Sequence, residues 1–133
     1  MLLFISGPMS GIPNHNRDAF HAAAALLRAH GYYVISPAEL RPEQHEEIVQ
    51  RCTRKDLQIL VSFPVDGLAT LPDGPEIHPD YPPSRGMATE RYLATNSLRI
   101  PVRSVSEWLT LDPLTGAALD LAESFTAAGD ASG

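Results

Sequence analysis

The chain has 133 residues, of which 44% are hydrophobic and 20% charged, and its formal net charge is −6. That length and balance fit one globular domain with a single core, and exclude a disordered chain or a second domain of full size. The acidic excess argues against a broad phosphate-tracking surface, and so against nucleic acid as a partner, while backbone amides and an arginine or two can still hold a small anion.

A single cysteine, Cys52, rules out an intramolecular disulfide framework and a cysteine-rich zinc site. The histidines (His15, His21, His30, His45, His78) show no HExxH pattern or comparable ligand spacing, so neither a metal nor another cofactor is expected. The opening "MLLFIS" lacks a basic segment, and no apolar run approaches the ~20 residues of a membrane span. No membrane partner and a cytoplasmic location are therefore expected.

In chain order, "LLFIS" (Leu2 to Ser6) reads as a short buried strand, followed by the turn-rich "GPMSGIPN". Asn14 or Asn16 can cap a helix running to about His30, with Phe20, Ala24 and Leu27 on one face and Gly31 as its stop. "YYVIS", Tyr32 to Ser36, is the next strand. Strand, glycine-containing loop, helix and strand make a βαβ unit with parallel strands. A second helix is expected from about Glu43 to Ser62, and "DGLATL", Asp66 to Leu71, as a third strand. "PDGPEIHPDYPPS" is too dense in proline for regular structure. A helix from Ser84 to about Asn96, a strand in "LRIPV" and a short helix in "SVSEWLTL" complete a domain over residues 1–111. Residues 112–133 are expected to form a C-terminal amphipathic helix (Leu114, Leu119, Leu121, Phe125) or a flexible tail.

This alternation predicts an α/β fold, an open parallel sheet of four or five strands with helices on both faces. Such sheets bind ligands outside the carboxyl ends of their strands. Three loops meet that description: "SGPMSG", "SPAEL" and the proline-rich loop leading into "SRGMATE".

Two carboxylates stand out. In the second helix Ile48, Val49, Cys52, Ile59, Leu60 and Phe63 fall within an arc of about 120°, and Asp56 projects from its middle. A carboxylate there is costly unless paired, hydrogen-bonded or protonated. It is either a buried structural partner or a functional group, since perturbed carboxylates also mark active sites. Glu90 shares a helix face with Met87, Ala94 and Leu98, six residues beyond a candidate N-cap, Ser84, and four beyond Gly86. From spacing alone it is either a charge stabilising its own helix or a group aimed at a ligand. "SGPMSG" is neither a P-loop nor a dinucleotide fingerprint, and it either binds an anion or simply turns the chain. Cys52, on the apolar stripe, reads as a small core residue.

Taken together, "FISGPMSGIPNHNRDAFHAAAALLRAHGYYVISPAEL", "RKDL" and "SRGMATE" resemble one pattern, that of the nucleoside 2-deoxyribosyltransferase-like superfamily. The likeness is greatest to its branch called domain of unknown function 4406, over about residues 1–109 apart from the proline-rich loop. The resemblance implies a Rossmann-like or flavodoxin-like fold and cleavage of the N-glycosidic bond of a nucleoside or nucleoside 5′-monophosphate, by hydrolysis or by base transfer. It implies that Glu90 is the nucleophile and Asp56 assists the leaving base, the two-carboxylate logic of retaining glycosidases. It further implies substrate contacts at Phe4, Ser6, Gly7 and Met9, at Ser10 and Gly11, and at Ser84, Arg85 and Gly86. A homodimer or higher homo-oligomer is implied too, with a neighbouring subunit completing the site; Asn96 is the residue that suggests itself.

The chain departs from the pattern in three places. Phe4 stands where relatives often have tyrosine, which removes a hydroxyl near the nucleophile and makes room for a ribose 2′-OH. Ser10 stands where nucleotide hydrolases of the superfamily have arginine, leaving phosphate to amides, Ser10, Ser84 and Arg85. The loop Pro72 to Pro83 is longer than usual, lacks the branch's tryptophan and carries Asp73, Glu76, His78 and Asp80. Two other readings stand beside the enzyme: a non-catalytic nucleotide-binding or host-interaction module, and a partner that uses the long loop for protein contact.

Overall fold

Leu2–Ser6 forms strand β1, and its alternation divides the interior in two. In the computed structural model, which describes residues 1–40 and 46–119 and the side chains of 1–40 and 54–119, Leu3 and Ile5 enter one core and Phe4 the other. This is the period-two consequence of a strand covered on both faces.

Four parallel strands, β1, β2 (Tyr33–Ile35), β3 (Gly67–Thr70) and β4 (Val102–Ser104), lie in the order β2-β1-β3-β4. Helix α1 (Arg17–His30) and the short α5 (Val105–Trp108) cover the Leu3 face. Helix α2 (Glu46–Ser62) and α4 (Arg85–Tyr92) cover the Phe4 face. A one-turn helix, α3 (Gly74–Ile77), follows β3. The result is an open α/β sheet of the Rossmann-like or flavodoxin-like kind.

On the first face Phe20, Ala23, Ala24 and Leu27 of α1 are buried, as the helical spacing requires, and Gly31 ends the helix at φ 115°. Trp108 seals the layer. Its indole N–H donates to Leu68 O at 2.9 Å, while the Tyr32 hydroxyl donates to Trp108 O at 2.7 Å. On the second face Leu60, Val65, Leu68 and Ala94 gather around Phe4.

Several elements depart from the sequence expectation. Strand β4 begins only at Val102, because α4 runs on through a π-helical turn, Leu93–Leu98, that Ile100 N–H closes onto Ala94 O at 2.9 Å. Arg99 then turns left-handed at φ 53°, and Pro101 has no N–H to give a ladder. The proline-rich stretch does contain regular structure, namely α3. Residues 112–119 form a turn closed by an isolated bridge, Leu111 with Ala118, in place of a helix at Leu114 and Leu119. Residues 120–133, including Leu121 and Phe125, lie outside the described residues. So do residues 43–45, the expected start of α2, and the side chains of Ile48, Val49 and Cys52. Phe63, placed by its spacing in the buried stripe, is 53% exposed, because it follows the last turn of α2.

Candidate active site

Every strand runs out into a hydroxyl residue. Ser6, Thr70 and Ser104 close β1, β3 and β4, and Ser36 follows β2. A hydroxyl at the carboxyl end of a buried parallel strand is an unusual place for a polar atom, and the topology supplies a reason. From β1 the chain moves to β2 on one side and later to β3 on the other, so the switch point lies between β1 and β3. Ser6 and Thr70 are register partners at that point, and both are buried.

Helix α4 descends onto the same spot. Ser84 is its N-cap, with Oγ accepting Met87 N–H at 3.1 Å, so the cap read from the sequence is present. Met87, Glu90 and Ala94 all face inward. Glu90, only 6% exposed, accepts the Ser6 hydroxyl on Oε1 at 2.8 Å. Burying a bare carboxylate costs several kcal/mol or more, which a charge-assisted hydrogen bond reduces. Asp56, also 6% exposed, lies on α2, which packs against α4 over the same face of the sheet. Both carboxylates are held by further interactions within the fold.

The remaining expected residues separate by depth. Phe4 is fully buried, two residues before Ser6 on the same strand face, and is a core side chain. Gly7 lets the ends of β1 and β3 approach, since a Cβ there would lie 2.7 Å from Leu71 Cδ1. Met9 is partly buried against the α1 core, whereas Ser10, Gly11 and Arg85 are exposed and Ser84 and Gly86 are half-buried. Asn96 uses its side-chain N–H on Tyr92 O at 3.1 Å, and it lies beside the amino end of β4, away from Glu90's end of the sheet.

Between the Ser6–Gly11 loop and α1 the backbone is strained. Asn14, His15 and Asn16 take φ 53°, 52° and 60°, three successive non-glycine residues in the left-handed region. Each costs about 1–2 kcal/mol, least for asparagine. Asn16 stands at the N-cap position of α1 without capping it; its side-chain N–H instead donates to Pro8 O at 3.0 Å and fastens the loop.

Two features escaped sequence reasoning. The contact of Ser6 with Glu90 joins residues 84 apart and has no local signal. The capping box of α3 does have one, since Asp73 followed three residues later by Glu76 is its signature. One strand over, a cleft of about 320 Å³ at the carboxyl ends of β3 and β4 is lined by Thr70, Glu76, Arg91, Arg103 and Ser106 among others, and does not include Glu90.

Among the described residues no group of three or more His, Cys, Asp or Glu is arranged to hold a metal ion, and no helix is long and apolar enough to cross a membrane. Comparison with curated proteins and with solved structures returns no match. Comparison with protein families gives a match over residues 1–103, which run from β1 into β4. The chain belongs to the family described as domain of unknown function (DUF4406).

Proposed function

We propose that the protein cleaves the N-glycosidic bond of a nucleoside or nucleoside 5′-monophosphate, with Glu90 as nucleophile and Asp56 as the proton-handling carboxylate. The observation that carries this reading is the buried Glu90 carboxylate, oriented by the Ser6 hydroxyl at the β1/β3 switch point. A second buried carboxylate on the adjoining helix is the other support. A solvated helix charge needs neither burial nor a hydroxyl from a distant strand.

In this mechanism a Glu90 oxygen attacks the anomeric carbon as the C–N bond breaks, giving a glycosyl ester. The bonding pair leaves with the base, which takes a proton from Asp56. Water then attacks the anomeric carbon, Asp56 removes its proton, and the bond from that carbon to the Glu90 oxygen breaks to release the carboxylate. A second base in place of water gives transfer, and hydrolysis is the favoured course. The Ser6 hydroxyl, donating to Oε1 at 2.8 Å, orients the carboxylate for that attack. Amides of the Gly7–Gly11 loop, with Ser10, Ser84 and Arg85, hold the sugar or its phosphate.

The test is incubation with a panel of ribo- and deoxyribonucleosides and their monophosphates, with free base measured by chromatography. Release of base that Glu90→Ala abolishes supports the reading. Full activity in that variant overturns the assignment of the nucleophile. No release from any substrate, together with tight nucleotide binding, favours a binding module instead. Asp56→Asn is expected to lower kcat about 10²-fold or more while the protein stays folded, as loss of a general acid does. Sedimentation reports whether the active species is the expected homo-oligomer in the cytoplasm-like buffer of the assay.

A further inference from the structure

The long loop between β3 and α4 is closed at its base by one side chain. Asp73 Oδ1 accepts the N–H of Gly74 at 2.7 Å and that of Ser84 at 2.9 Å, so a single oxygen joins the first residue of α3 to the residue before α4. The Glu76 carboxylate in turn accepts the Asp73 N–H at 3.2 Å, which fixes the backbone that carries the acceptor. The two ends also meet directly. A Cβ at Gly74 would fall 2.1 Å from Pro82 O, a distance no alanine tolerates without moving the backbone. Pro82 further reaches Gly11 of the β1 loop, where a Cβ would lie 3.1 Å from its ring. Within the loop, Tyr81 N–H donates to His78 O at 3.0 Å and the two rings lie 5.1 Å apart.

Ser84 is at once the far end of this clasp and the N-cap of α4, the helix that carries Glu90. A shift of its backbone is therefore a shift of the helix start, and the Glu90 carboxylate lies only two turns further on. We propose that Asp73 is a positioning residue: by clasping Gly74 and Ser84 it sets where α4 begins, holds the Glu90 carboxylate against Ser6, and makes the loop a fixed rim of the crevice. The catalytic consequence rests on the reading of Glu90 given above; the clasp itself does not.

The test separates the two. In Asp73→Ala the Ser84 amide is expected to exchange with deuterium roughly tenfold faster, because a hydrogen bond to a charged acceptor is lost. The ¹³C resonance of the Glu90 side-chain carboxyl is expected to move, since its Ser6 contact loosens. Asp73→Asn keeps an Oδ1 acceptor and is expected to restore both signals. Gly74→Ala opens the same clasp from the other side and is expected to reproduce the Asp73→Ala spectrum, which keeps the inference testable if one variant folds poorly. In the nucleosidase assay Asp73→Ala is expected to lower kcat about tenfold with KM nearly unchanged, and Asp73→Asn to recover it. Unchanged Ser84 exchange in Asp73→Ala, or an unmoved Glu90 carboxyl resonance, overturns the inference. If the spectra change as described but the wild-type protein releases no base, the clasp stands and the glycosidase reading fails.

Discussion

The two faces of the sheet are built to different rules. On the Leu3 face the residues of the core cluster are apolar or aromatic, and the polar atoms of Trp108 and Tyr32 are spent on backbone carbonyls of the fold itself. On the Phe4 face two carboxylates, Asp56 and Glu90, are buried beside Leu60 and Ala94. The first arrangement is what packing and hydrogen-bond satisfaction alone would select. The second carries an electrostatic cost that a wholly apolar helix face would avoid. Carboxylates buried on one face and not the other are what the proposed site requires, since perturbed carboxylates cluster where chemistry is done.

Substitutions on the two faces should therefore separate activity from stability. The largest effect expected is on the Phe4 face: Glu90→Gln keeps the shape and a hydrogen-bonding oxygen for Ser6, yet lowers kcat/KM by roughly 10³-fold or more. Its urea midpoint should stay close to that of the wild type. A loss of stability as large as the loss of activity would show that Glu90 is structural. Next, on the opposite face, Trp108→Ala should cost about 3–5 kcal/mol in urea unfolding, since it empties the centre of that core and removes the indole bond to Leu68 O. Activity per folded molecule should hardly change. Tyr32→Phe removes one buried hydroxyl and its bond to Trp108 O, which keeps the Leu111 N–H, for about 1 kcal/mol by the same measurement.

The smallest effect belongs to the surface. Arg28 grips Glu39 with two short bonds, Nη1 to Oε2 at 2.7 Å and Nη2 to Oε1 at 2.6 Å. That hydrogen bonding, partly opposed by burial, holds the Glu39 carboxyl below its ordinary range. A carboxyl lowered in the folded state stabilises above its unfolded pKa, and that stability is lost as pH falls through the lower folded value. Both side chains are more than a third exposed, so screening leaves roughly a few tenths of a kcal/mol. Glu39→Gln should cost that much at neutral pH and nothing in strong acid; equal costs at both would deny the pair its role.

Much of this molecule was legible in its residues, and the reasons are local. Strand β1 is a continuous apolar run, α1 has its inward stripe and its Gly31 stop, and Asp56 and Glu90 declared themselves by sitting on apolar arcs. Where local pattern misled, another force had prevailed. The apolar "LRIPV" is strand-like in composition, but its first residue ends a π-turn that lays Leu98 and Ile100, both partly buried, against the core. Asn16 is a good capping residue whose side chain was taken by Pro8 O. The Ser6–Glu90 bond was hidden because no period or motif connects a strand end to a helix so far along the chain.

The strand order also has a consequence in time. Strand β1 lies inside the sheet, with β2 on one side and β3 on the other. The β1–β2 pair can form early across one helix, but β3 must await α2, and Ser6 meets Glu90 only after 84 intervening steps of chain. Loop closure of that span adds only modest entropy, yet such non-local pairing is slow to nucleate. The hydroxyl and carboxylate at the heart of the proposed chemistry therefore depend on long-range pairing, and local structure alone does not bring them together.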